Sequence, residues 1–316
     1  MEKREIGHSG IRVSPFALGG NVFGWTIDEP TSFKILDAYV DAGFDLVDTA
    51  DVYSRWKPGN KGGESEIIIG NWLKKSGRRN QVVIATKVGK PMGEGKQGLS
   101  RAYITQAVED SLKRLQTDHI DLYQSHDDDR NTPLEETLST YTDLIKQGKV
   151  RAIGASNYSG ARLKEALKVS EDNNLAAYQC LQPEYNLYER AHYETELEPV
   201  CRENHIGVIS YYSLASGFLT GKYRSENDLN KSQRGQGVKR YLNEHGFKIL
   251  AALDQLAAEY KTTPAAISLA WLLARPGITA PIASATSVEQ LKEITAAAQL
   301  DLKGNAVDML TKASTY

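Results

Sequence analysis

Short apolar runs alternate with longer segments in which apolar residues recur every three or four positions. The short runs are typical of buried β-strands, and the longer segments predict amphipathic helices. Strands are predicted at residues 15–20, 44–48, 82–87, 120–124, 150–155, 178–182, 207–211 and 279–283. Helices are predicted at residues 31–42, 64–75, 103–115, 134–146, 160–171, 191–203, 246–260, 264–274 and 287–298.

Two segments stand outside this alternation. Residues 4–13 form two short extended runs around a Gly-His-Ser-Gly turn, which predicts an N-terminal β-hairpin. Residues 216–245 are polar and contain glycine, and they are too many for a plain connection. Loops of that length in a compact domain are usually lids or binding loops.

Eight strands alternating with helices indicate an α/β fold, either a closed parallel barrel or an open doubly wound sheet. No G-x-G-x-x-G motif follows the first strand, which counts against a Rossmann sheet. Polar residues end nearly every strand, as expected where the strand ends meet on one face of a barrel. No linker-like change of composition appears. We therefore predict one domain, residues 1–316, a (β/α)8 TIM barrel with an N-terminal hairpin and a long loop after strand 7.

The predicted strand ends carry side chains suited to catalysis. The strand at 44–48 ends in Asp48 and is followed by Tyr53, the third strand ends in Lys87, and the fourth runs into His126. Lys87 follows Asp48 by 39 residues, and His126 follows Lys87 by another 39, about the length of one βα repeat. In a barrel the four side chains would therefore converge on one face.

These residue types suit protonation of an oxygen on which negative charge develops. A phenol is a weak acid with a reference pKa of about 10, and a lysine ammonium nearby lowers that value. An aspartate would hold the lysine, and a histidine would bond to the substrate oxygen. The chemistry is that of carbonyl reduction, with the hydride supplied by a cofactor. Singly, each residue could be structural, and only their regular spacing favours a site.

Bulk composition narrows the class. Of 316 residues 41% are hydrophobic and 25% charged, typical of a globular protein with a substantial core. A formal charge of −2 gives no reason to expect nucleic acid or an anionic membrane as partner. The N-terminus lacks the apolar stretch of a signal peptide, and no membrane-spanning run occurs, so we predict a cytoplasmic protein. Cys180 and Cys201 lack zinc-site spacing, and no metal is predicted.

Seven ordered segments resemble those of one known family, the aldo-keto reductases. They are residues 43–53 with 63–70, then 84–87, 121–126, 153–157, 182–186 and 217–223. Leu219-Thr220-Gly221-Lys222-Tyr223 is similar to the bacterial and potassium-channel β-subunit-like branch. The resemblance covers essentially the whole chain. It implies a (β/α)8 barrel with NADP(H) extended across its C-terminal face.

By this resemblance, Tyr53 is the proton donor, Lys87 and Asp48 tune its acidity, and His126 orients the carbonyl. The matching cofactor positions are Ser156, Asn157 and Gln182 at the nicotinamide carboxamide, Tyr211 against its ring, Ser213, Leu214, Gly217, Leu219 and Lys222 around the pyrophosphate, Arg234 at the 2′-phosphate, and Ser284, Thr286, Gln290 and Glu293 at the adenosine. Gly20, Asn21 and Asp48 are further candidates for cofactor contact.

The implied activity is NADPH-dependent reduction of an aldehyde, with ketones, sugars and the reverse oxidation as variants. The alternative is a slow NADP(H)-binding subunit that senses redox state for a partner protein. Trp25 and Trp56 are candidates to wall the substrate pocket, and each could equally be a packing residue. Residues 54–62 are longer than the family pattern. They either cover the pocket mouth or form an inert insertion.

Overall fold

The structure, a computed structural model, describes residues 1–233 and 235–316. Its strands are β1 (Arg4–Glu5), β2 (Arg12–Val13), β3 (Ala17–Gly19), β4 (Leu46–Asp48), β5 (Val83–Val88), β6 (Ile120–Ser125), β7 (Val150–Ser156), β8 (Cys180–Gln182), β9 (Gly207–Ser210) and β10 (Ile278–Ala283). Its α-helices are α1 (Glu29–Asp41), α2 (Glu64–Ser76), α3 (Arg101–Leu115), α4 (Leu134–Lys146), α5 (Gly160–Asp172), α6 (Glu198–Glu203), α7 (Glu244–Glu259), α8 (Pro264–Leu273), α9 (Val288–Thr295) and α10 (Gly304–Ala313).

Strands β3 to β10 close into a parallel barrel in the order β10-β3-β4-β5-β6-β7-β8-β9. The predicted (β/α)8 fold is thus confirmed, and so is the N-terminal hairpin, in which β1 and β2 pair antiparallel. Ile6, Ile11 and Val13 of the hairpin region pack in one buried cluster with inward-facing strand residues such as Leu46 and Leu122. The hairpin therefore closes the N-terminal end of the barrel and leaves the C-terminal end as the open face.

Local sequence explains most helix boundaries. Helix α1 starts at Glu29, two residues before the predicted start, because Asp28 accepts a hydrogen bond from the Thr31 amide at 2.9 Å. The sequence pair Thr132-Pro133 predicts Thr132 as the N-cap of α4 and Pro133 as its first residue, and this prediction is wrong. Pro133 occupies the N-cap position, and the Thr132 hydroxyl donates to Asp129 Oδ2 at 2.7 Å instead of capping the helix.

The long segment after β9 is folded rather than open. It contains three 3-10 turns, Ala215–Thr220, Glu226–Lys231 and Gly235–Tyr241, and Ser225 with Asp228 forms a capping box on the second. Leu229, Val238 and Tyr241 are buried against the rest of the core. Helix α10 lies beyond the predicted repeat and covers part of α7. In the described parts of the chain, no helix combines the length and apolar character needed to span a bilayer.

The register of the strands places the predicted catalytic residues at the same level of the barrel. Asp48 is the last residue of β4, and Lys87 pairs with Gln124 across β5 and β6. The His126 amide donates to the Val88 carbonyl at 2.8 Å and so extends that ladder by one residue. The three side chains therefore project from adjacent strands at the C-terminal rim of the barrel.

Candidate active site

A cavity of about 900 Å³ opens at this rim. Asp48, Tyr53 and His126 line it at one end, and Lys222 with the segment after β10 lines it at the other. Its floor is formed by the ends of β4 and β8 and its sides by the loops that follow the strands. An extended ligand can therefore reach from the polar strand ends to the start of α9.

Lys87 is the buried centre of the first end. Its side chain is 0% exposed, and its Nζ donates to Asp48 Oδ2 at 2.7 Å, the Thr49 carbonyl at 2.8 Å and the Tyr53 hydroxyl at 2.9 Å. An ammonium carries three N–H donors, so these acceptors satisfy all of them. Burial lowers the pKa of Lys87, and the Asp48 carboxylate offsets only part of that effect. The ion pair thus holds a positive charge against the phenol oxygen.

Asp48 is fixed from both sides. One carboxylate oxygen accepts from Lys87, and the other accepts from Gln182 Nε2 at 2.9 Å. The Tyr53 hydroxyl also lies 3.4 Å from Asp48 Oδ2. Gln182 ends β8, across the barrel from β4, so this bond ties opposite sides of the rim together.

His126 lies beside the phenol. The two ring centroids are 5.9 Å apart at an interplanar angle of 73°. Burial, and then the charges of Lys87 and Lys90, hold the pKa of His126 well below its usual value of about 6.5. Its Nδ1 is buried and has no hydrogen-bond partner among residues 1–233 and 235–316. The imidazole is therefore neutral at neutral pH and presents one N–H donor and one acceptor.

A second ionic layer lies behind this group. Glu66 is fully buried and accepts from Arg114 Nε at 2.6 Å and from the Thr86 hydroxyl at 2.6 Å. Burial and the Glu66 charge raise the pKa of the nearby Asp51 to about 8. Asp51 is consequently mostly protonated at neutral pH. The carboxylate in direct contact with Lys87 is that of Asp48, at 2.7 Å.

Amide groups and a tyrosine form the adjacent wall. The Tyr211 hydroxyl donates to Asn157 Oδ1 at 2.9 Å, and Asn157 Nδ2 donates to Asp127 Oδ1 at 2.8 Å and to the His126 carbonyl at 2.9 Å. The Ser156 hydroxyl donates to the Gln182 carbonyl at 2.9 Å. Amide side chains and an aromatic ring thus face the cavity next to the phenol.

The middle of the cavity is bordered by a loop with left-handed backbone. Tyr212, Ala215 and Ser216 have φ of +50°, +48° and +58°, and Gly217 has φ of +98°. A Cβ at Gly217 would lie 3.7 Å from Lys222 Cε. Successive turns of this kind make concave backbone surfaces that bind anions. Together with the Lys222 side chain, this loop fits a phosphate group.

The far end is polar and partly exposed. The Ser284 hydroxyl donates to Asn21 Oδ1 at 2.6 Å, which links the ends of β10 and β3. The Thr286 hydroxyl donates to Gln290 Oε1 at 2.9 Å, leaving the Gln290 amide N–H groups as its remaining donors. Glu293 borders the same space.

The structure brings most of the predicted site residues to this one cavity. Gly20, Leu219, Lys87 and Trp25 are not on its wall. The Gly20 carbonyl accepts from Ser65 Oγ at 2.8 Å, and Leu219 and Lys87 are fully buried. Arg234 lies outside the described residues. Trp56 lines the cavity. Trp25 packs edge-on against the Trp56 ring, with the two ring centroids 5.5 Å apart.

Sequence reasoning overlooked several residues of the wall. They include Val22, Thr26, Val52, Lys90, Asp127, Tyr212, Ser216, Thr220, Lys231, Ser232, Gln233 and Ala265. Lys90 and Asp127 could have been predicted from the strand ends, because they follow Lys87 and His126 in the same loops. Val22, Thr26 and Val52 lie in the loops after β3 and β4, and Ala265 lies in α8. Tyr212, Ser216, Thr220, Lys231, Ser232 and Gln233 depend on how the long segment after β9 folds back, and no sequence pattern marks them.

The chain is similar to known proteins along nearly its whole length. A sequence model of the aldo/keto reductase family matches residues 15–315. The chain is 37% identical over 317 positions to a Bacillus subtilis (strain 168) protein named uncharacterized oxidoreductase YrpG, covering 98% of this chain and 95% of that protein. It is 36% identical over 310 positions to aldo-keto reductase YhdN of the same organism, covering 93% of this chain and 89% of that protein.

Proposed function

The chain belongs to the aldo/keto reductase family of oxidoreductases, and we propose that it reduces aldehydes to alcohols with NADPH, with Tyr53 as proton donor. The observation that carries this proposal is the buried Lys87 ammonium, 2.9 Å from the Tyr53 hydroxyl and 2.7 Å from Asp48. Ketones and sugars are further carbonyl substrates that the same chemistry would accept.

The reaction needs a proton on the carbonyl oxygen as that oxygen gains charge. Tyr53 gives its hydroxyl proton, and the resulting phenolate stays in contact with the Lys87 ammonium, which stabilises it. Asp48 keeps Lys87 charged and in position. His126, neutral and beside the phenol, donates its N–H to the same carbonyl oxygen and so orients the substrate.

Family members generally use a nicotinamide cofactor, and the cavity fits one. When bound, that cofactor supplies the hydride that reduces the carbonyl carbon. Ser156, Asn157 and Gln182 would hold its carboxamide, and Tyr211 would lie against the ring. The left-handed loop from Ser213 to Gly217, with Lys222, would hold the diphosphate. Ser284, Thr286, Gln290 and Glu293 would border the adenosine.

The proposal is tested with Tyr53→Phe, which removes one oxygen and little volume. We expect this variant to keep its affinity for NADPH, measured by fluorescence titration, and to lose about 10³-fold or more of its turnover with an aldehyde panel. Titrating wild type with NADPH and NADH in parallel tests the cofactor preference. Unchanged aldehyde-dependent NADPH oxidation in Tyr53→Phe would rule out the assigned mechanism.

A further inference from the structure

The rim of the cavity next to His126 carries a lysine that carbonyl reduction does not itself require. Lys90 lies two residues beyond the end of β5 and lines the same cavity as Tyr53 and His126. Its Nζ is 3.6 Å from Asp127 Oδ2, and the two side chains are 35% and 45% exposed. An ion pair of that length between two part-exposed side chains is weak, because water screens it. Lys90 is therefore available to a ligand.

Asp127, by contrast, is already engaged. Its Oδ1 accepts from Asn157 Nδ2 at 2.8 Å. Of the two following aspartates, Asp128 is paired with Arg162 at 2.8 Å and with Arg130 at 2.5 Å, so cations offset its charge. Asp129 keeps its negative charge, because hydrogen bonds from Leu99, Thr132 and Asn131 outweigh burial and hold its pKa below the usual value, but its side chain does not line the cavity.

The loop that carries Trp56 has an excess of positive charge beside the cavity. Residues 54–62 contain Arg55, Lys57 and Lys61, all exposed and off the cavity wall, and contain no aspartate or glutamate. The same loop brings Trp56 to the cavity wall, with its ring 6.0 Å from that of Tyr53. Glu64, just beyond the loop, accepts from the backbone amide of Lys61 at 2.7 Å and offsets part of this charge. A cationic entrance attracts anionic ligands and speeds their encounter.

Given the proposed function, we propose that the substrate is an aldehyde that carries an anionic group, either a carboxylate or a phosphate. Lys90 binds this group at the cavity mouth while the carbonyl contacts Tyr53. The apolar wall at Trp56 would cover the carbon chain between the two ends. Lys90 is thus a specificity residue, and its ammonium contributes a charge-assisted contact that a neutral aldehyde lacks.

Matched substrates test the preference. The rates compared are kcat/KM for 4-oxobutanoate against butanal, and for glyceraldehyde 3-phosphate against glyceraldehyde. We expect wild type to favour at least one anionic member by about tenfold or more, as one charged contact implies. The first pair reports a carboxylate and the second a phosphate. Equal or lower kcat/KM for both anionic members would overturn the inference, whereas reduction of none of the four aldehydes would overturn the proposed function.

Lys90→Met tests the residue, with Lys96→Met as control. Lys96 is exposed in the same loop and lies off the cavity wall. Lys90→Met should lower the anionic-to-neutral ratio of kcat/KM about tenfold, mainly through KM of the anionic substrate, and Lys96→Met should leave the ratio as in wild type. An unchanged ratio in Lys90→Met, or an equal loss in both variants, would contradict the assignment.

A binding measurement gives an answer without turnover. Calorimetry of succinate with the NADP⁺-loaded protein should show about tenfold weaker binding in Lys90→Met than in wild type or Lys96→Met. Equal affinity in all three proteins would sink the inference. Succinate binding that depends on Lys90, in a protein that reduces no aldehyde, would keep the anion site and reject the proposed activity.

Discussion

Asp51 shows how strongly a single buried group can link this site to pH. Its side chain is 2% exposed, its Oδ1 has no hydrogen-bond partner in the described chain, and Glu66 lies close enough to repel its charge. Burial is the largest cause of its pKa of about 8. The folded protein therefore binds a proton that the unfolded chain, with an Asp pKa near 3.8, has already lost.

The stability of the fold should fall with pH because of this group. Between pH 4 and pH 8, about the two pKa values of Asp51, the folded state binds more protons than the unfolded state, so stability decreases as pH rises. Asp51→Asn removes the titration, so the variant should be more stable than wild type at pH 8.5 and differ less at pH 5. Thermal unfolding of both proteins between pH 5 and pH 8.5 measures this difference in stability, with a substitution at an exposed aspartate, Asp308→Asn, as the control. Parallel curves for Asp51→Asn and wild type would contradict the prediction.

Lys87 should matter to both chemistry and stability. Replacing it with methionine leaves the 2%-exposed Asp48 carboxylate without its cation, a change that typically costs about 3–5 kcal/mol. Lys87→Met should therefore lose turnover and also shift urea unfolding to lower concentration. Tyr53→Phe is the control, because it should lose turnover with little change in unfolding. Equal unfolding midpoints for the two variants would show that the ion pair adds no net stability.

At the scale of elements, the site depends on how closely α2 packs against α3. Gly70 faces the end of α3, and a Cβ there would lie 2.1 Å from the Arg114 carbonyl oxygen. The same contact aligns Arg114 with Glu66, at 2.6 Å. The absence of a side chain at Gly70 thus sets the distance between helices that support the Lys87 layer.

Gly70→Ala should consequently destabilise the fold. The added methyl group must displace backbone rather than a flexible side chain, and overpacking of this kind costs about 1–3 kcal/mol. Gly304→Ala at the start of α10 is the matched control, since nothing lies within 4 Å of its Cβ position. Thermal melting of both variants gives the comparison. A melting temperature of Gly70→Ala equal to that of Gly304→Ala would mean that α2 shifts without cost.

At the scale of the whole molecule, Arg190 joins the β8–α6 connection to the C-terminal helix. Its guanidinium donates to the Thr311 carbonyl at 2.7 Å and to the Ser314 hydroxyl at 2.9 Å, and pairs with Glu194 at 2.8 Å. The side chain is buried. These bonds hold α10 in place although 121 residues separate Arg190 from Thr311.

Arg190→Ala should weaken the attachment of α10 to the rest of the fold. Removing the guanidinium leaves the Thr311 carbonyl without this donor, while Glu194 keeps the Tyr185 hydroxyl at 2.7 Å and Arg275 at 3.7 Å. We therefore expect a loss of about 1–3 kcal/mol and faster amide exchange in α10. Arg202→Ala is the control, because Arg202 is exposed and lies 3.7 Å from Glu198. Hydrogen exchange measured by mass spectrometry tests both. Unchanged protection of α10 in Arg190→Ala would show that apolar packing alone holds the helix.

The sequence by itself determined the repeat and therefore the barrel. Each strand is a short apolar run because both of its faces are buried. Each helix has an apolar stripe because only one of its faces packs on the barrel, so the positions of apolar residues predict both kinds of element. The regular distance between Asp48, Lys87 and His126 predicted their convergence for the same reason. Tyr53 was found with them because it lies only five residues after Asp48, the end of the first of these strands.

Only the tertiary structure decided the rest of the cavity. The segment after β9 folds back through three 3-10 turns, whose positions depend on long-range burial of Leu229, Val238 and Tyr241 rather than on local period. Helix α10 was not predicted, because it follows the last strand–helix unit and the repeat therefore indicates no further helix there. The charges at the mouth depend on which aspartates are already paired. Asp127, Asp128 and Asp129 are alike in sequence, and only their packing leaves Lys90 weakly held at the rim.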